Sequence, residues 1–301
     1  MCIRDSVCTT TITFCFWKEL KDGFFAGGKL LDMPLAKKML SYTWPILFLG
    51  IAGILNQTAG YIIFPYVYKD NDAHTQLGIF GAASKIAMIM SMITQAFRYA
   101  YEPFVFGKAR DKDNKETYAR AMKFFIIFTL LAFLVVMGYM DILRHIIGRD
   151  YWVGLKVVPI VMAGGIMTGV YFNLSFWYKL IDKTIWGAYF SGIGCAVIIG
   201  INVIFVPKYG YIACAWAGFM GNATAMVLSY LVGQRKYPIN YPLKSIFVYL
   251  LIAGLFFAVI TYTNANLPVP AALGINTLVI ILFIAHAVSY THLTLPTILR
   301  V

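Results

Sequence analysis

Charge is scarce in this chain of 301 residues, and acid is scarcer than base: 13% of residues are charged, with 13 Asp and Glu against 25 Lys and Arg. A soluble domain carries about 25% charged residues, so that class is excluded. Histidine is thin as well. His74, His145 and His286 are scattered and His292 lies in the last residues, so no group has metal-ligand spacing. The five cysteines show no paired spacing, and Cys195 and Cys214 sit inside apolar runs, where a thiol serves as a small packing residue. Gly27-Gly28-Lys29 is too short for a phosphate loop and follows no strand. A membrane-embedded transferase wants a deep histidine with an Asn or Asp partner, and His286 has no visible mate. These absences leave no enzyme signature, and neither metal nor cofactor is expected.

Apolar sequence is plentiful. Sixty per cent of the residues are hydrophobic and the mean hydropathy is +0.73. A bilayer core about 30 Å thick needs roughly 20 apolar residues per helix. Runs of that kind predict eight spans: A, Thr43–Val67; B, Gly78–Phe106; C, Ala121–Met140; D, Leu155–Tyr178; E, Ile185–Val206; F, Tyr211–Gly233; G, Ser245–Thr263; H, Pro270–Val288. Val7–Phe16 reads as the stump of another helix. A membrane β-barrel would alternate apolar and polar residues, and the run from Phe124 to Met140 does not. The expected fold is an all-α polytopic membrane helix bundle.

Basic residues are distributed unevenly between the connections. Lys18, Lys21, Lys29, Lys37 and Lys38 precede A. Lys108, Arg110, Lys112, Lys115, Arg120 and Lys123 lie between B and C, Lys179 and Lys183 between D and E, and Arg235, Lys236 and Lys244 between F and G. The alternate connections carry only Lys69, Arg144, Arg149 and Lys208. Cytoplasmic loops are enriched in Lys and Arg, so the segment before A and the loops after B, D and F are expected in the cytoplasm. This asymmetry accounts for much of the net charge of +12 without nucleic acid. The basic run Gly107–Arg120 reads as a solvated loop.

The polar residues inside the spans are the candidate functional groups. In B, Ser84, Ser91, Gln95, Arg98 and Glu102 share one helical face, and Lys85 points elsewhere. A buried cation costs at least about 2.5–3.5 kcal/mol at mid-bilayer and normally faces a bundle interior or wet cavity. Arg98 and Glu102 could instead pair at i, i+4 and snorkel to the interface. Asn56, Gln57 and Thr58 lie near the middle of A and Asn222 near the middle of F, where amides commonly join helices. Gly50, Gly53, Gly165, Gly169, Gly192, Gly194, Gly218 and Gly221 offer close helix contacts. Trp177 and Tyr178 read as membrane-boundary aromatics.

Both ends look foreign to the rest. Residues 1–6 (MCIRDS) and 288–301 (VSYTHLTLPTILRV) resemble translated sequencing-adapter read-through, which suggests an internal piece of a longer protein.

Four passages resemble a known family. Met33–Tyr61 carries Ala36-Lys37-Lys38, Pro45 and Asn56-Gln57; Gly78–Pro103 carries Gly78, Ala82, Lys85, Phe97, Ala100 and Pro103; Leu143–Pro159 and Pro207–Gly221 follow. In order and spacing they resemble the C-terminal half of the polysaccharide (O-antigen type) flippase branch of the multidrug/oligosaccharidyl-lipid/polysaccharide exporter superfamily. The resemblance implies a MATE-like fold of two six-helix lobes. Residues 43–233 would form the second lobe and residues 234–287 two additional helices, with residues 7–42 a helix stump and cytoplasmic linker. It further implies alternating access that needs the missing N-terminal lobe. The implied function is flipping of an undecaprenyl-diphosphate-linked oligosaccharide across a bacterial cytoplasmic membrane for cell-surface polysaccharide biosynthesis, with membrane lipids as surroundings and no enzymatic step. On physical grounds, Lys85, Arg98, Gln95, Asn56 and Asn173 are the expected substrate-binding residues. Tyr99, Tyr101, Tyr171 and Trp177 are candidate sugar-stacking groups. The alternatives are a multidrug/cation antiporter of the same superfamily, which needs an intramembrane carboxylate, and a peptidoglycan lipid-precursor flippase. A non-transporting scaffold has no positive support.

Overall fold

A computed structural model of the chain describes residues 2–18, 21, 33–69, 72–107, 114–181 and 183–294. No strand occurs among them. The helices are α1 (Cys2–Cys15), α2 (Met33–Val67), α3 (Ala73–Gly107), α4 (Asn114–Gly138), α5 (Met140–Leu143), α6 (Val158–Leu174), α7 (Phe176–Leu180), α8 (Ile185–Tyr209), α9 (Tyr211–Lys236), α10 (Leu243–Asn266) and α11 (Val269–Thr294). Two 3-10 turns, Arg144–Ile146 and Arg149–Val157, connect α5 to α6. Two compact units are distinguished, residues 1–45 and 46–301, with the boundary inside α2. The first holds α1, whose described side chains are exposed, and the start of α2.

The second unit carries the bundle. Seven of its helical segments among the described residues are long and apolar enough to cross a membrane, and they coincide with spans B to H. Span A falls within α2, a helix of 35 residues. The helices overrun the spans read from hydropathy because backbone hydrogen bonding continues past the apolar core into the interface. Span H behaves likewise: its helix does not stop at Val288 but runs to Thr294.

Within this unit α6 packs against α3, α4 and α9, while α8 and α9 form an antiparallel pair. Gly210 separates that pair with a φ of 56°, a left-handed conformation that glycine adopts without a Cβ clash. Glycines also set the helix spacing. A Cβ on Gly194 would lie 3.0 Å from the Gly221 carbonyl oxygen, and one on Gly165 would lie 2.9 Å from Met90 Cγ. Gly192 and Gly218, by contrast, face open space. The main core joins Ala83, Met90, Phe125, Leu134, Met162 and Ile166. Large apolar side chains elsewhere face outward, such as Ile204 at 68% and Leu255 at 67% exposure, as a lipid-facing surface requires.

The helices α10 and α11 pack on α4 through a buried polar knot. Asn276 Nδ2 donates to the Gly138 carbonyl at 3.0 Å and to Asn264 Oδ1 at 2.7 Å, and Thr263 Oγ1 donates to Asn276 Oδ1 at 2.7 Å. The Gly138 carbonyl is available because α4 ends there and the last turn of a helix leaves its carbonyls unpaired.

Candidate functional site

The polar face of α3 borders a cavity, with Ser91 itself exposed. Ser84, Ser91 and Gln95 line a cavity of about 300 Å³ together with Asn56, Gln57, Tyr61, Thr94, Thr168, Phe172, Asn202, Phe219 and Asn222. The one-face reading of span B holds for these three side chains because successive seven- and four-residue steps return to nearly the same azimuth. Among the described residues, no charged side chain lines this cavity. Four of its polar atoms are buried without a hydrogen-bond partner: Asn56 Oδ1, Thr94 Oγ1, Gln95 Oε1 and Asn202 Oδ1. The Asn202 amide nitrogen is committed to the Ile198 carbonyl at 2.8 Å, so its oxygen is the free end.

Arg98 and Glu102 continue the face one to two turns beyond the cavity. Glu102 bridges two cations: Lys179 Nζ lies 2.8 Å from Oε1 and Arg98 Nε 3.9 Å from Oε2. The carboxylate's short contact is therefore with Lys179 on α7, not with its i, i+4 neighbour. The Arg98 guanidinium stands 4.9 Å from the centre of the Phe172 ring, a cation–π distance. Phe172 also lines the cavity, so one aromatic side chain touches both the neutral cavity and the charged cluster. Arg98 Nε is itself buried without a hydrogen-bond partner.

Lys85 is not beside Arg98. It is exposed and lines a different cavity, of about 760 Å³, between α3 and the α5–α6 connection, with Gly78, Gly81, Leu143, Ile147 and Tyr151. Tyr61, Ser84 and Met88 border both cavities. Asn173 is 9% exposed but lines neither cavity; its Nδ2 donates to the Gly169 carbonyl at 3.1 Å. Thr58 is satisfied by the Ile54 carbonyl.

The aromatic expectations divide. Tyr99 is exposed. Trp177 and Tyr178 do not face outward as boundary aromatics would: both are buried, at 3% and 1% exposure, because Gly187 and Gly233 leave room for them between helices. Tyr171 belongs to the same cluster and hydrogen-bonds Ser191 Oγ at 3.0 Å. Tyr101 packs edge-on against Phe176. None of Tyr101, Tyr171, Trp177 and Tyr178 lines a cavity described here.

Asn202, Thr94, Thr168 and Lys179 were not singled out from sequence. Asn202 follows Gly194 and Ile198 on the packed face of span E, which is the sequence signal that marks it. Lys179 looks like a loop residue until α6 breaks at Ser175 and α7 turns it toward Glu102.

A multi-pass helical bundle with a neutral polar cavity beside an ion-pair cluster is the class that fold and site define. Solved structures sharing this fold include the lipid II flippase MurJ in an inward closed conformation (TM-score 0.66, 17% identity, covering 93% of this chain and 60% of that one) and the Vibrio cholerae MATE transporter VcmN in its bent form (TM-score 0.59, 13% identity, 77% and 56%). The chain spans less than two thirds of either structure's length. Comparison with protein-family models and with curated proteins gives no match.

Proposed function

We propose that this chain is part of a membrane flippase that moves a lipid-linked oligosaccharide, carried on a polyprenyl diphosphate, from the cytoplasmic to the outer leaflet of a bacterial inner membrane. The Arg98–Glu102–Lys179 cluster is the observation that carries this reading. It holds two cations against one carboxylate, leaving an excess positive charge suited to a diphosphate. Lys85 supplies a further cation on the same helix, in the outer groove. In this reading spans A to F form one lobe, alternating access works against a second lobe of the same protein, and the basic loops face the cytoplasm.

A drug/cation antiporter needs a carboxylate free to bind a proton, a metal cation or a cationic drug. Glu102 is the only acidic residue within spans A to H apart from those in their connections, and Lys179 and Arg98 occupy both of its oxygens. That pairing favours flipping of an anionic lipid. The fold shared with MurJ, a lipid II flippase, supports the peptidoglycan-precursor alternative equally, since both passengers carry a diphosphate.

The test is complementation of a glycan-export-deficient strain with the intact gene. Lys85→Ala or Arg98→Ala at normal expression is expected to abolish export. Normal export with both replaced refutes the site. A gene neighbourhood of glycosyltransferases and a polymerase supports glycan export, whereas an isolated locus supports drug efflux.

A further inference from the structure

We infer that the amide-lined cavity is a subsite for one uncharged sugar ring and that it rejects sugars bearing a carboxylate. The inference deepens the flippase reading and rests on it for the identity of the passenger.

The unpartnered atoms define the ligand. Asn56, Gln95 and Asn202 each present a buried acceptor oxygen, and Thr94 presents a hydroxyl. Thr94 is 4% and Asn202 1% exposed, so solvent at the surface does not satisfy them. Buried polar groups left unmatched are costly, so this lining favours an occupant that donates hydrogen bonds. Hydroxyl groups arranged around a ring do so in several directions at once. Tyr61 and Phe172 add aromatic surface against which the C–H face of a sugar packs.

Size and charge narrow the class. A cavity of about 300 Å³ stands at the low end of small-molecule sites, roughly 300–1,000 Å³, which admits one ring and not an oligosaccharide. With no cation among the described lining residues, a uronic acid would lose the hydration of its carboxylate and find no counter-charge. Neutral rings escape that cost.

The experiment uses the full chain in lipid nanodiscs with glucose and glucuronate, which differ only at C6, as probes in saturation-transfer NMR. Glucose is expected to receive saturation and glucuronate is not. Gln95→Leu is expected to weaken glucose binding about tenfold, the loss of one well-placed hydrogen bond. Gln95→Lys is expected to transfer binding from glucose to glucuronate, a gain that misfolding cannot produce. Absence of glucose binding, equal binding of the two sugars, or indifference to both substitutions overturns the inference. So does a sodium-dependent rise in thermal midpoint that Asn202→Leu abolishes without any sugar contact, which marks a cation site instead. Failure of glycan export in cells with glucose contacts intact refutes the flippase reading and leaves the subsite standing.

Discussion

Glu102→Gln is the most informative single substitution, because it strengthens a binding site by removing a group. The carboxylate lies 2.8 Å from Lys179 Nζ and 3.9 Å from Arg98 Nε. At an effective dielectric of about 20, the shorter pair attracts by roughly 6 kcal/mol and the longer by roughly 4 kcal/mol before desolvation. The three side chains are 23–33% exposed, so solvent removes most of this; exposed pairs measure about 0.2–1 kcal/mol. Partial burial places the net effect at about 1–2 kcal/mol, a factor of roughly 5–30 in an equilibrium constant. An anion no longer competing with Glu102 should gain that factor. Calorimetric titration of pyrophosphate into nanodisc-embedded chain, wild type against Glu102→Gln, measures it, and the gain should shrink at high salt. Unchanged or weaker binding in the Gln variant refutes the assignment of this cluster to a diphosphate.

The glycine contacts give a paired stability test. Gly221→Ala places a Cβ 2.8 Å from the Gly194 carbonyl oxygen and is expected to cost about 1–3 kcal/mol, whereas Gly218→Ala meets nothing within 4 Å and should hold or raise the thermal midpoint. Asn276→Leu removes the centre of the knot joining α4, α10 and α11, at about 0.6–1.7 kcal/mol per hydrogen bond lost in a membrane; trypsin should then cleave faster at Lys236 or Lys244. For orientation, Asn266→Cys in a cysteine-free background should react with an impermeant maleimide in intact cells, and Arg120→Cys only after permeabilisation. The reverse pattern refutes the topology drawn from Lys and Arg.

Much of the bundle is legible in the sequence because lipid imposes one rule, that backbone polar groups pair within the segment. Long apolar runs therefore locate spans B to H directly. The face of α3 was legible for the same reason that helical periodicity is: Ser84, Ser91 and Gln95 repeat at helical spacing and enter one cavity. What escaped was tertiary. Asn202 is one amide in an apolar helix until α9 closes against α8 at Gly194 and Gly221. Lys179 is an ordinary loop cation until the break at Ser175 brings α7 over Glu102. Trp177 and Tyr178 carry the composition of an interface and the burial of a core, and only the facing glycines distinguish the two. Asn264 and Asn276 meet across a turn of α10–α11 that hydropathy treats as featureless.

The three regions along α3 follow one electrostatic logic. Lys85 and Arg98 are thirteen residues apart, about 20 Å along a helix rising 1.5 Å per residue, and the uncharged cavity lies beside the stretch between them. Cations are tolerable toward the ends of a span, where they reach water or a counter-ion, and are most costly at its centre. A helix obeying that rule can present amides and hydroxyls at mid-depth and charge only at the flanks. The passenger proposed above, with its phosphates and sugars, is divided in the same manner, one part needing counter-charge and the other needing hydrogen-bond acceptors. If Arg98 and Lys85 were interchangeable charges on a continuous strip, moving the cation from position 98 to position 95 would preserve export. With a neutral cavity between the cationic regions, Gln95→Lys combined with Arg98→Gln should abolish export of a neutral glycan while leaving protein level unchanged on immunoblots.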